Sequence, residues 1–154
     1  MYVILNTHHD VDTAYYYPTK EYLDNSKKYI SSIWAQLAEC FSDYDEHLIF
    51  ESMNEPRMVG TSYEWWLDMN QAQCQEAVNC INQLNQAFVD TVRSSGGNNT
   101  TRYLMVPASA PPPKTPPTKP LFSWWIQHRA GLSFPYMPIS PIILPFRDQK
   151  KTKA

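Results

Sequence analysis

Apolar and polar positions alternate along the first two thirds of the chain in a pattern that predicts regular elements in a fixed order. Tyr2-Val3-Ile4-Leu5 is an unbroken β-prone run, as in a strand covered on both faces. A polar and aromatic loop, Asn6 to Tyr17, follows. Leu23, Ile30, Ile33, Trp34, Leu37 and Phe41 then keep helical spacing, with Pro18-Thr19 as the start signal. Leu48 to Ser52 reads as a second strand. A loop holding Gly60 and Trp65-Trp66 leads to a second helix, where Ala77, Ile81, Leu84, Phe88 and Val92 recur every three or four residues. Gly96-Gly97 supplies its left-handed stop. Arg102 to Val106 reads as a third strand, closed by Pro107.

Strand, helix, strand, helix, strand is the order of right-handed crossovers in a parallel sheet, so the fold class is α/β. A parallel sheet must be covered on both faces or closed into a barrel, and three strands do neither well. The pattern therefore points to an interior fragment of a larger fold. A buried strand at the first residue adds the expectation of missing sequence upstream.

Composition divides the chain in two. It has 154 residues, 43% of them apolar, and a net charge of −2. Residues 1–110 hold 14 of the 15 acids against six bases, a net of −8. Residues 111–154 hold Asp148 as their one acid against seven bases, a net of +6, and ten of the 13 prolines. Spaced prolines prevent long helices and central strands. The tail is thus expected to be irregular, disordered or non-native, although apolar islands remain at 121–126 and 142–144. A shifted reading frame would produce such an abrupt change, and sequencing the codons around Ala108 to Pro113 tests it. The expected domains are 1–110 and 111–154.

The acidic first part argues against nucleic acid as a partner. No apolar run approaches the roughly 20 residues that cross a membrane, so no membrane partner is expected. The opening residues form a strand rather than a basic region before an apolar one, so no signal peptide is expected. Cys40, Cys74 and Cys80 are odd in number, lack metal-type spacing and fall on helices, which makes them buried free thiols by default.

The candidate chemistry lies in Leu48-Ile49-Phe50-Glu51-Ser52-Met53-Asn54-Glu55-Pro56. A short buried strand delivers an amide and a carboxylate side by side, and Pro56 ends ladder pairing. Ligands bind at the carboxyl ends of parallel strands. Glu55 is therefore a candidate proton donor with Asn54 beside it; the plain alternative is a strand ending in solvated polar residues.

These residues are familiar in combination. Asn54-Glu55-Pro56 closing one strand, Asn6-Thr7-His8-His9-Asp10 closing the strand before it, and Arg102-Tyr103-Leu104-Met105-Val106-Pro107 after Gly96-Gly97-Asn98-Asn99 resemble glycoside hydrolase family 5 cellulases. The resemblance spans residues 1–110. It implies a fragment of a TIM (β/α)8 barrel, its third to fifth strands, from an extracellular enzyme that cuts internal β-1,4-glucan bonds with retention. By the match, Glu55 is the proton donor and base, Asn54 binds the sugar 2-hydroxyl and His8 lines the catalytic subsite. Trp65 is a candidate sugar platform, with burial under the loop as its competing reading.

The implied partner is a β-glucan polysaccharide. No cofactor is implied, and a metal held by His8, His9, Asp10 and Asp12 is disfavoured because adjacent ligands on an extended segment diverge. Retention needs two carboxylates about 5–5.5 Å apart, yet the resemblance ends before the strand that bears the family's nucleophile. No nucleophile is found in this chain: Asp148 lacks a strand-end context, and Glu51, on Glu55's own strand, cannot oppose it across a sugar ring. Glu64 is a further carboxylate weighed for that place. The fragment alone is expected to be inactive. A non-catalytic carbohydrate-binding fragment using Trp65, Trp66 and Tyr15-Tyr16-Tyr17 is the alternative, followed by an inert truncated product. Asn98-Asn99-Thr100 and Asn99-Thr100-Thr101 fit glycosylation acceptors.

Overall fold

A computed structural model describes residues 1–8, 15–108, 123–128 and 132–133. Its elements are β1 (Val3–Asn6), α1 (Lys20–Cys40), β2 (Leu48–Glu51), α2 (Ala72–Ser94), β3 (Leu104–Ala108), β4 (Ser123–His128) and β5 (Leu132–Ser133). They form one sheet in the order β1-β2-β3-β4-β5. β1 pairs parallel with β2, Val3 opposite Leu48 through Asn6 opposite Glu51, and β2 pairs parallel with β3. The α/β pattern of three parallel strands and two crossover helices is thus present.

Both helices cover one face of the sheet. Ile30, Trp34 and Ala38 of α1 and Leu84, Phe88 and Val92 of α2 bury their apolar stripes against Phe50 and Leu104. Trp34 sits at the centre, its ring 5.1 Å from Phe50 and 4.7 Å from Phe88. Leu48 and Phe50 belong to this cluster. By strand alternation Ile49 and Glu51 face the opposite side, the inner side of a closed barrel.

Helix α2 ends at Ser94, and Gly96 and Gly97 take positive φ of 77° and 56°. These are the left-handed residues that the chain reversal requires. A Cβ on Gly97 would also lie 3.3 Å from the Ser42 carbonyl.

Three expectations are corrected. The third strand begins at Leu104 rather than Arg102. Arg102 is 2% exposed and turns back to donate to the carbonyls of Asp45, Leu48, Phe41 and Tyr44 and to Asn99 Oδ1. Five donors on a rigid fork suit loop carbonyls better than a ladder position. Cys40 is exposed, because it lies at the end of α1 beyond the packed stripe, whereas Cys74 and Cys80 are buried; all three are free. Asn99 is fully buried, with its amide donating to Ala38 O, so it is no glycosylation acceptor; Asn98 is exposed.

The expected irregular tail also departs from expectation at two places. Ser123–His128 pairs antiparallel with β3, and Leu132–Ser133 pairs with Ser123–His128. The open edge of β3 carries unpaired backbone groups, and the apolar island Trp124-Trp125-Ile126 is β-prone enough to satisfy them. The rest of the tail, including Asp148, lies outside the described residues.

Candidate active site at the carboxyl ends of the first two strands

Parallel pairing brings the ends of β1 and β2 together. Asn54 N–H donates to Thr7 O at 3.0 Å, carrying the contact one residue past the ladder on the first strand and three past it on the second. Thr7 Oγ1 donates to Ser52 O (3.0 Å), which also accepts Trp34 Nε1–H (3.1 Å). Tyr16 O–H donates to Thr7 Oγ1, and Ser52 Oγ donates to Asn85 Oδ1. Asn85 in turn donates to Pro107 O, linking α2 to the ends of β2 and β3. The side-chain bonds of this chain are all buried, which rigidifies the floor beneath the candidate residues.

Strict alternation ends there. Ser52 contacts α2, and the next residue, Met53, joins the same core cluster. The backbone then swings Glu55 to φ 45°, the one left-handed residue other than glycine among those described. A residue before proline is ordinarily extended, and a left-handed bulky residue costs of order 1–3 kcal/mol. Such strain clusters at functional sites.

Glu55 keeps its carboxyl 37% exposed, with Oε2 3.5 Å from Arg57 Nη1. Arg57 also donates from Nη1 to Glu55 O and from Nε to Glu64 Oε1, both at 3.1 Å. Its guanidinium lies 4.6 Å from the centre of the Trp65 ring. Glu64 receives Gly60 N–H at 3.0 Å, and that bond, with Arg57, holds its carboxyl below the usual range. Glu64, weighed as a second carboxylate, is thus committed to the loop.

The loop packs through Met58, Tyr63 and Leu67 against Cys74 and Ala77. That leaves Trp65 (46%) and Trp66 (38%) exposed, so burial of either under the loop is ruled out. His8 lies half-buried just past β1, at the same end of the sheet as Glu55. His9, Asp10 and Asp12 lie outside the described residues. Tyr16 is buried in the floor, Tyr17 donates to Val59 O, and Tyr15 stacks on Tyr29 with centroids 4.2 Å apart. Glu51 is 1% exposed on the inner face beside Asn6, whose side chain donates to it; its Oε2 has no partner, and burial raises its carboxyl to about 7.

Comparison with known proteins assigns the family. The model of the cellulase family, glycosyl hydrolase family 5, matches residues 1–140. This chain belongs to that family. Endoglucanase 1 of Ruminococcus albus is 46% identical over 106 residues, which are 69% of this chain and 24% of the relative. A family 5 lichenase from a Caldicellulosiruptor species superposes with a TM-score of 0.66 at 60% identity, covering 68% of this chain and 28% of the lichenase. A family 5 xyloglucan-specific endo-β-1,4-glucanase from a metagenomic library, solved with cellotriose, gives 0.61 at 42% identity, covering 68% and 29%. The chain therefore spans about a quarter of its relatives' length, and its parallel strands are a piece of a (β/α)8 barrel. Among the described residues, no helix is long and apolar enough to cross a membrane.

Arg57 was missed in the sequence reading, because an arginine after Glu-Pro carries no periodicity and its partners are set by the loop's path. Thr7 and Asn85 were missed for the same reason: each pairs across more than 30 residues.

Proposed function

We propose that this chain is the proton-donor segment of a retaining endo-β-1,4-glucanase, acting outside the cell on a β-glucan. Glu55 is read as the acid/base, Asn54 as the ligand of the sugar 2-hydroxyl, His8 as a wall of the catalytic subsite and Trp65 as a sugar platform. The observation that carries this reading is the strained, half-open Glu55 at the joined ends of two parallel strands. Two family 5 relatives support it: a lichenase variant was solved with cellotetraose and a xyloglucan-specific endo-β-1,4-glucanase with cellotriose.

In the reaction, Glu55 donates its proton to the glycosidic oxygen as a carboxylate nucleophile attacks the anomeric carbon, so the leaving chain departs as an alcohol. Glu55, now ionised, takes a proton from water as that water attacks the same carbon and frees the nucleophile. Among the described residues neither other carboxylate near the site fits the nucleophile's place. Glu51 is buried on the same strand, and Glu64 is bound to Arg57. The nucleophile belongs to a part of the barrel outside this chain, and the chain alone lacks turnover. Residues 111–154 form a separate tail in this reading, although the family match runs on to residue 140. Their strand β4 runs antiparallel, whereas a (β/α)8 barrel continues in parallel.

Two measurements test this. Incubation with a soluble β-glucan should release no reducing ends above background; turnover abolished by Glu55→Gln would overturn the incomplete site. Titration with cellotetraose should quench tryptophan fluorescence weakly and saturably in the wild-type chain, and not in Trp65→Ala. A folded chain that binds no cello-oligosaccharide would overturn the sugar site. A purely carbohydrate-binding role is the second reading, favoured by the exposed Trp65 and Trp66, but without Tyr16, which is buried.

A further inference from the structure

We propose that Arg57 is a positioning residue that locks the Trp65 sugar platform to the proton donor, so that a glucose ring on Trp65 is held at a fixed offset from Glu55. This rests on the reading of Glu55 and Trp65 given above. One guanidinium makes all the connections. Its Nε–H is anchored by Glu64 Oε1 at 3.1 Å, and Glu64 is itself anchored by Gly60 N–H at 3.0 Å. Its Nη1 reaches the Glu55 carbonyl at 3.1 Å and the Glu55 carboxylate at 3.5 Å. Its flat face lies 4.6 Å from the Trp65 ring centre.

Each contact uses a different property of arginine. The fork fixes direction, the charge meets two carboxylates, and the plane stacks on the indole. The contact to the Glu55 carbonyl restrains the residue whose φ is 45°. The guanidinium covers one face of Trp65, and the side chain still remains 46% exposed, so the indole has open surface to offer. A pyranose of a β-linked glucan presents axial C–H groups that suit such a face. Arg57 is itself only 22% exposed, as expected of a part held between other groups rather than a solvated surface charge. Lysine preserves the charge but has neither fork nor plane.

The test uses this full chain as wild type, Arg57→Lys, Trp65→Ala, and the double variant. Acrylamide quenching attributable to Trp65, taken as the difference from matched Trp65→Phe chains, should rise about twofold in Arg57→Lys when measured well below the melting temperature of each chain. Unchanged quenching of Trp65 overturns the lock, whatever happens with sugar. For cellotetraose, Arg57→Lys should weaken binding about fivefold. The double variant should bind no more weakly than Trp65→Ala, because the arginine acts through the indole. Wild-type affinity in Arg57→Lys, or fully additive losses, overturns the positioning role. If wild type binds no cellotetraose, the sugar-site reading fails and takes the substrate part of this proposal with it, and the quenching experiment alone decides whether Arg57 restrains Trp65.

Discussion

Thr7 and Ser52 stand 45 residues apart in sequence, yet Thr7 Oγ1 donates to Ser52 O at 3.0 Å beneath the candidate proton donor. The same hydroxyl accepts Tyr16 O–H. Thr7→Val keeps the shape and removes both bonds. At about 0.5–1.5 kcal/mol for each hydrogen bond lost, the two together are worth about 1–3 kcal/mol. Urea denaturation should show a loss of that size, and a loss under 0.5 kcal/mol (roughly the error of such measurements) would mean that water replaces Thr7.

Arg102 offers a larger effect. Four backbone carbonyls from the α1–β2 connection and the start of β2 depend on its guanidinium, together with Asn99 Oδ1. Lysine has three donors on one nitrogen and cannot reach all five acceptors. At about 1–3 kcal/mol for each orphaned buried acceptor, Arg102→Lys should cost about 3 kcal/mol or more. That is a large share of the roughly 5–15 kcal/mol that stabilises an ordinary domain. The variant should melt well below wild type; melting within a degree of it would refute the account.

Arg102 also marks where sequence reasoning stops. Apolar runs located β1 and β2 to within one residue, and periodicity picked out the packed stripes of α1 and α2, because burial of Ile30, Trp34, Leu84 and Phe88 follows directly from a 3.6-residue repeat. It placed Arg102 in a strand because that residue adjoins a β-prone run, whereas its fate is decided by carbonyls more than 50 residues away. The position of Asn54 and Glu55 just past a strand end was legible because a strand followed by proline is a local signal. The clamp formed by Arg57, Glu64 and Trp65 was not legible, since it depends on how a loop folds back. Neither was the pairing of Ser123–His128, which required knowing that β3 had an open edge.

Glu51 makes stability depend on pH. Its carboxyl, buried and with Oε2 unpartnered, is raised from 4.5 to about 7, against the weaker opposing pull of Asn6. Between those limits the folded chain keeps a proton that the unfolded chain has released, so the folded state binds more protons and stability falls as pH rises. The loss is absent below about pH 4.5 and complete above about pH 7. At 1.36 kcal/mol per pH unit it amounts to about 3 kcal/mol. Glu51→Gln cannot ionise. The stability difference between the variant and wild type should therefore shift by about that amount in the variant's favour from pH 4.5 to pH 8. A difference that stays constant across this range would show that water or another group reaches Glu51.

The strain at Glu55 gives the last prediction. A φ of 45° disfavours a long side chain, whereas asparagine enters the left-handed region several times more readily than most residues. Glu55→Asn relieves part of a penalty of about 1–2 kcal/mol, but it gives up the half-exposed contact with Arg57 Nη1, which is worth less than about 1 kcal/mol. The backbone bond from Arg57 to the residue 55 carbonyl survives, since it needs no side chain. The variant should be as stable as wild type or up to about 1 kcal/mol more so, while losing the carboxyl proposed above as the proton donor. Thermal melting checks the first part. A drop of several degrees would mean that the carboxylate, and not the backbone bond, holds this turn in place.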